Sequence, residues 1–254
     1  MLFGFGVRGG IAHADGPTFF KDVRYAEGTQ PEWICDVRLP TRGLLENDRG
    51  ESPVVVIVHG GAWSSGDKWT MGNWSVPLSK QGFACVAINY RHAPEHPYPA
   101  QVDDVRRALA WLPRVAKRFQ FDTSRIGLVG YSAGAHLATL TATSANSKGE
   151  QFEATSGWSF RQQQEMKVPA ITAVVGGGTP AYFLDIPPTS QLYSYWFGDS
   201  PARLPTTYKL ASPIEHLDGD DPPTLLVHGD ADLMVAIENA RRMIRQAEQC
   251  NAPV

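Results

Sequence analysis

Cysteine is scarce in this 254-residue sequence, limited to Cys35, Cys85 and Cys250. Three is an odd number, no C-x-x-C spacing occurs, and two of the three sit in apolar runs where a thiol behaves as a small hydrophobe. Neither a disulfide framework nor a zinc site is indicated. Long apolar runs are also missing, since nothing approaches the roughly 18 to 20 residues of a membrane span. Nor is there an excess of positive charge. The 23 Lys and Arg against 26 Asp and Glu give a net charge of −3, and the basic residues are scattered, so no footprint for nucleic acid or an acidic membrane surface exists. Internal repeats and low-complexity tracts are absent too. At 43% hydrophobic and 19% charged, the composition fits one large globular domain able to bury an active site.

The first residues, "MLFGFGVRGGIAHADG", allow two readings. Ala12-His13-Ala14 has the small-residue form of a signal cleavage site, which would make residues 1–14 a leader remnant of a periplasmic or secreted protein. Arg8 interrupts the apolar run and no basic segment precedes it, which favours an ordinary flexible terminus over residues 1–20 and a cytoplasmic protein.

Short Val- and Ile-rich runs recur at 53–60, 83–90, 125–132, 170–178 and 222–230, each closed by a turn residue. They are nearly continuous in hydrophobicity, as strands buried on both faces of a parallel sheet are. Between them, Val102, Val105, Leu109, Leu112, Ala116 and Phe119 follow helical spacing, with Pro113 expected to kink or end the first half. A second helix is expected over 236–249. Strand and helix alternating in this way imply an α/β sheet with right-handed crossovers. Before residue 50, "KDVRYAE" and "EWICDVRLP" alternate polar and apolar residues like an antiparallel edge pair. The domain therefore spans 21–254, with insertions at 144–167 and 179–208 that do not fit the repeat.

Gly130-Tyr131-Ser132-Ala133-Gly134 has G-x-S-x-G spacing, with a strand before and a helix after it. That context makes Ser132 a candidate nucleophile rather than part of a chance Gly/Ser turn. His59-Gly60-Gly61-Ala62-Trp63 follows an earlier buried strand, and glycines there leave N–H groups free to meet developing negative charge. Gly60, Gly61 and Ala133 are the candidate oxyanion donors, through the main chain. "LLVHGDADLMV" ends another strand with two carboxylates, where sheet enzymes place working groups. Asp232 is the better candidate for orienting a histidine, and Asp230 for fixing the turn.

With these residues in view, the chain resembles an α/β-hydrolase of the carboxylesterase kind, similar to hormone-sensitive-lipase-like esterases and to bacterial esterase and feruloyl-esterase-like relatives. "HGGAW", "YRHAPEHPYPAQVDDV", "GYSAGAHLA", "ASPIEHL" and "PPTLLVHGDAD" resemble that family's blocks in its order, from about residue 20 onward. The resemblance places Ser132 on the nucleophile, Asp232 on the triad acid, and Gly60, Gly61 and Ala133 on the oxyanion hole. Ala135 stands where many members have another glycine. His92, Glu95 and His96 fall in a block that folds against the nucleophile, and read as structural.

The resemblance also implies a histidine base after Asp232, and none follows it. His136 is one helical turn beyond Ser132, but that helix runs into the core, which favours a buried, hydrogen-bonded role. His59 and His228 read as turn residues of the oxyanion and acid loops. The expectation is a fragment that lacks its catalytic histidine and the strand before it, nearly inactive as it stands, with "NAPV" beginning one more strand. The leading function is a serine ester hydrolase acting on a small-molecule ester without a cofactor. An amidase or peptidase of the same fold uses identical parts, and a catalytically inactive binding protein is the reading from another class. Trp63, Tyr131, Tyr182, Phe183, Tyr195, Trp196 and Phe197 are candidates for an apolar pocket or for plain core. Nothing in the sequence signals an oligomeric state.

Overall fold

Val54, Val56 and Val58 pack into one hydrophobic cluster and Val55 and Ile57 into another, so a single run of valines serves both faces of a sheet. This is seen in a computed structural model of the chain, which describes residues 18–41, 44–147, 153 and 155–254. The strand is β3 (Ser52–Val58), and every residue in it is buried. Its neighbours are β4 (Ala84–Ile88) and β5 (Phe121–Tyr131), both parallel to it, with Val56 facing Val86 on one side and Leu128 on the other. Beyond β5 lie β6 (Ala173–Gly177) and β7 (Thr224–Val227), also parallel. At the opposite edge β1 (Phe19–Arg24) and β2 (Ile34–Arg38) pair antiparallel, as their alternating sequences predict. The sheet order is β1-β2-β4-β3-β5-β6-β7.

Helices cover both faces. On one lie α2 (Ala100–Phe119) and α3 (Ala133–Thr143), which bury Val102, Leu109, Leu112, Leu137 and Leu140 against Val54, Val56 and Leu128. On the other, α1 (Gly72–Lys80) closes over Val55, Ile57, Cys85 and Val129 with Leu78. Of the two outcomes expected at Pro113, a kink or an end, the end does not occur: α2 runs on through the proline. It removes one helical hydrogen bond at a cost of about 3 kcal/mol. Leu109 and Leu112 before it are fully buried and Phe119 after it is buried, and burying one such side chain stabilises by roughly 1.5 to 3 kcal/mol, so tertiary packing carries the helix through.

The leader-like segment and residues 148–152 and 154 of the first insertion lie outside the described residues. Phe19 and Phe20 already belong to β1. The described part of the first insertion includes the short α4 (Phe160–Glu165), and Ser156 with the Gly157 N–H bonds buried Asp103 of α2. The second insertion holds α5 (Gln191–Phe197) and α6 (Pro205–Leu210), and its Phe183, Trp196, Phe197 and Tyr208 join the main core. The last helix, α7 (Glu238–Cys250), buries Ala240, Met243 and Ala247. After it, the Pro253 carbonyl accepts the Thr224 N–H at 2.8 Å, so "NAPV" lies beside the start of β7 without forming a strand of its own.

Candidate active site

Three loops leave the carboxyl ends of β3, β5 and β7, and the β6 end lies between the last two. In an open parallel sheet that edge is where working groups gather.

The β5 loop is a sharp turn. Ser132 has φ 53° and ψ −124°, a conformation costly for any residue but glycine, and its N–H is held by the Gly177 carbonyl at 2.7 Å. A Cβ on Gly134 would lie 2.1 Å from the Val58 carbonyl oxygen, and one on Gly130 would lie 2.3 Å from that of Gly134. Both flanking glycines are thus demanded by the close approach of α3 to the strands. Ser132 is left at the helix N-terminus, and its hydroxyl makes no hydrogen bond among the described residues.

In the β3 loop, Gly61 (φ 129°), Ala62 (φ 51°) and Trp63 (φ 59°) all take left-handed or related conformations. The backbone N–H groups of Gly60, Gly61 and Ala133 are taken up by no hydrogen bond among the described residues. In the β7 loop, Asp232 accepts the Met234 and Val235 N–H groups on Oδ1, at 2.8 and 2.9 Å. These two bonds hold its carboxyl below the usual carboxylate range. Oδ2 accepts no hydrogen bond among the described residues; it lies beside Gly178 and 3.8 Å from His228 Nε2. The turn bonds expected of Asp230 are therefore made by Asp232, and Asp230 is exposed at the rim of an adjoining cleft.

Gly60, Gly61, Ser132 and Asp232 line one open cleft of about 810 Å³. Ala133, the first residue of α3, is buried directly behind it. Of the aromatic residues nominated from sequence, Tyr131 alone lines this cleft. Trp63, Phe183, Trp196 and Phe197 are core instead. The walls that sequence reading missed include Met71, Trp74, Gly178, Met234 and Val235. Trp74 sits in the first turn of α1, where nothing local marks it as facing a site.

Among the described residues no imidazole is bonded to the Ser132 hydroxyl. His136 is fully buried, donating from Nε2 to the Ala211 carbonyl at 2.8 Å and accepting the Trp63 indole N–H on Nδ1 at 3.2 Å. Burial lowers it to about 4, against the raising effect of the Ala211 bond. His59, stacked on Tyr90, donates from Nδ1 to the Gly60 carbonyl at 2.7 Å and is likewise lowered to about 4 by burial. His228 donates from Nε2 to the Val235 carbonyl, and His216 from Nε2 to that of Leu210, each at 2.7 Å. The segment carrying His92, Glu95 and His96 is locked by Arg91 on Asp104 and by Gln101, which donates to the Arg91 and His96 carbonyls.

The BD-FAE family model matches residues 41–246. The chain belongs to the BD-FAE family. Its fold is that of the α/β-hydrolases. Esterase LipC of Mycobacterium tuberculosis (strain ATCC 25618 / H37Rv) is 31% identical over 236 residues, covering 88% of this chain and 54% of that protein. The probable carboxylic ester hydrolase LipM of the same organism is 30% identical, over 90% of this chain and 51% of that one. The chain thus spans about half the length of these curated relatives. Among solved structures, a truncated form of a carbohydrate esterase from gut microbiota superposes with a TM-score of 0.80 at 26% identity, covering 96% of this BD-FAE chain and 88% of that chain. Esterase B from Lactobacillus rhamnosis, at 22% identity and a TM-score of 0.73 over 94% of this chain and 72% of its own, shares the fold.

Proposed function

We propose that this BD-FAE chain carries the nucleophile, the oxyanion donors and the acid of a serine ester hydrolase. The observation behind this reading is that the strained Ser132, the unengaged N–H groups of the glycine loop and the free oxygen of Asp232 share one cleft. In the reaction, Ser132 Oγ attacks an ester carbonyl while an imidazole takes its proton. The N–H groups of Gly60, Gly61 and Ala133 receive the negative charge that develops on the carbonyl oxygen. The imidazole returns the proton to the departing alcohol, and water then cleaves the acyl-enzyme. Asp232 Oδ2 orients that imidazole, which belongs to a histidine other than those described. The esterase names of the relatives support an ester as the substrate, and no step calls for a cofactor.

The test is to assay the full gene product against a panel of p-nitrophenyl esters and matched anilides. Ser132→Ala should remove ester turnover by a factor on the order of 10⁴ or more, leaving only binding and the oxyanion hole. Rates unchanged by that substitution would move the nucleophile elsewhere. Anilide turnover exceeding that of the esters would make the enzyme an amidase.

A further inference from the structure

The oxyanion loop is built in a conformation it does not favour. Ala62 and Trp63 are consecutive non-glycine residues at positive φ, a conformation that persists only where the surroundings impose it. Something other than the local sequence must hold the loop.

Trp63 is the handle. Its side chain is 2% exposed and its ring stacks on Trp196 at 3.9 Å and 6°. Trp196 is itself fixed by its indole N–H on Gln101 Oε1. The Trp63 carbonyl accepts the Ala93 N–H at 3.0 Å. The indole N–H of Trp63 reaches across to His136 Nδ1. His136 lies one turn after Ser132, and its own backbone N–H donates to the Ser132 carbonyl at 3.0 Å. The far side of the same imidazole donates to the carbonyl of Ala211, just after α6. A ring that accepts on one edge and donates on the other therefore joins the nucleophile's helix, the glycine loop and the C-terminal end of α6.

We infer that His136 is a positioning residue, clamping Trp63 so that the loop from Gly60 to Trp63 presents its N–H groups to Ser132. An apolar side chain at 136 leaves a buried indole N–H and a buried carbonyl without partners, a loss that buried polar groups do not tolerate cheaply. A primary amide, which also accepts and donates, can replace the imidazole in part. The kinetic side of this inference rests on Ser132 being the nucleophile. The structural side does not.

The experiment compares wild type, His136→Leu, Trp63→Phe, the double variant and His136→Gln. Backbone amide exchange is followed over residues 60–65 and over α7, a distant reference. The clamp predicts exchange about tenfold faster at 60–65 in both single variants with α7 unchanged. It also predicts no further gain in the double variant and a return to within about threefold of wild type in His136→Gln. In the full gene product kcat for a short ester should fall about tenfold or more while KM moves less than about twofold, as loss of an interaction made in the transition state requires. Unchanged exchange at 60–65, equal acceleration in α7, or no rescue by glutamine would overturn the clamp. Absence of Ser132-dependent turnover in the wild-type gene product would instead overturn the hydrolase reading, with the exchange data still deciding the role of His136.

Discussion

Asp232 divides its carboxylate between two tasks: Oδ1 closes its own turn, while Oδ2 lies 3.8 Å from Nε2 of His228, an imidazole already committed to the Val235 carbonyl. His228 is therefore the neighbour of the acid without being the base it serves. An amide at 232 keeps the turn-closing acceptor and loses the charged one. Asp232→Asn should lower kcat of the full gene product by about 10² or more, while Asp230→Asn stays within about twofold. The comparable change in an unrelated serine protease costs about 10⁴ by upsetting the histidine tautomer. The opposite ranking in an ester assay would assign the acid to Asp230.

The 254-residue chain should hydrolyse esters hardly faster than its own Ser132→Ala variant. The imidazoles of His136, His59, His228 and His216 are each bonded to a backbone carbonyl, so none of these four takes the Ser132 proton as it stands. Removing the base from an unrelated serine hydrolase costs roughly 10⁶ in turnover. Serine-dependent hydrolysis by this chain, measured on purified monomer, would show that one of these imidazoles is released in solution.

Gly134→Ala should be among the most destabilising single-methyl additions in the molecule. The new Cβ would press to 2.1 Å of the Val58 carbonyl, a backbone atom of a buried central strand that cannot give way. A loss of about 3 kcal/mol, at the upper end of overpacking costs, corresponds to a fall in Tm of roughly 6 to 12 °C. Ala135→Gly should cost about 1 kcal/mol by loosening α3. Calorimetry on the two variants ranks them directly.

Stability should rise with pH between about 4.5 and 6.5. His136 and His59 titrate near 4 in the fold because burial disfavours their charge, and near about 6.5 when unfolded. Between those values the unfolded chain binds more protons. Their contribution is thus complete above about 6.5 and lost as pH falls through about 4. Asp221 works the other way, since burial lifts its carboxyl to about 6. Its contribution is present below the ordinary carboxylate value and lost as pH rises through about 6, but one smaller shift does not cancel two larger ones. Urea midpoints at several pH values should climb across this window, and His136→Gln should flatten the climb by up to about 1.4 kcal/mol per pH unit. A flat wild-type profile would mean that these imidazoles are hydrated in solution.

The sequence by itself determined the parallel sheet, its antiparallel edge pair and the three loops that carry chemistry. These are local matters: valine runs closed by turns can pair only as buried strands, and a serine between glycines at a strand-to-helix junction can make only a tight turn. It also determined that His136 would be buried, because a helix leaving the nucleophile has nowhere to run but the core. Only the tertiary structure decided which aromatic residues wall the cleft. Trp63 and Trp196 are distant in sequence, and their stacking turns both into core, while Trp74 and Met234 reach the cleft because α1 and the β7 loop fold over its two sides. Pro113 inside an unbroken helix belongs to the same class. In each case contacts between residues far apart in the chain outweigh a local preference of a few kcal/mol, and no window of sequence contains both partners.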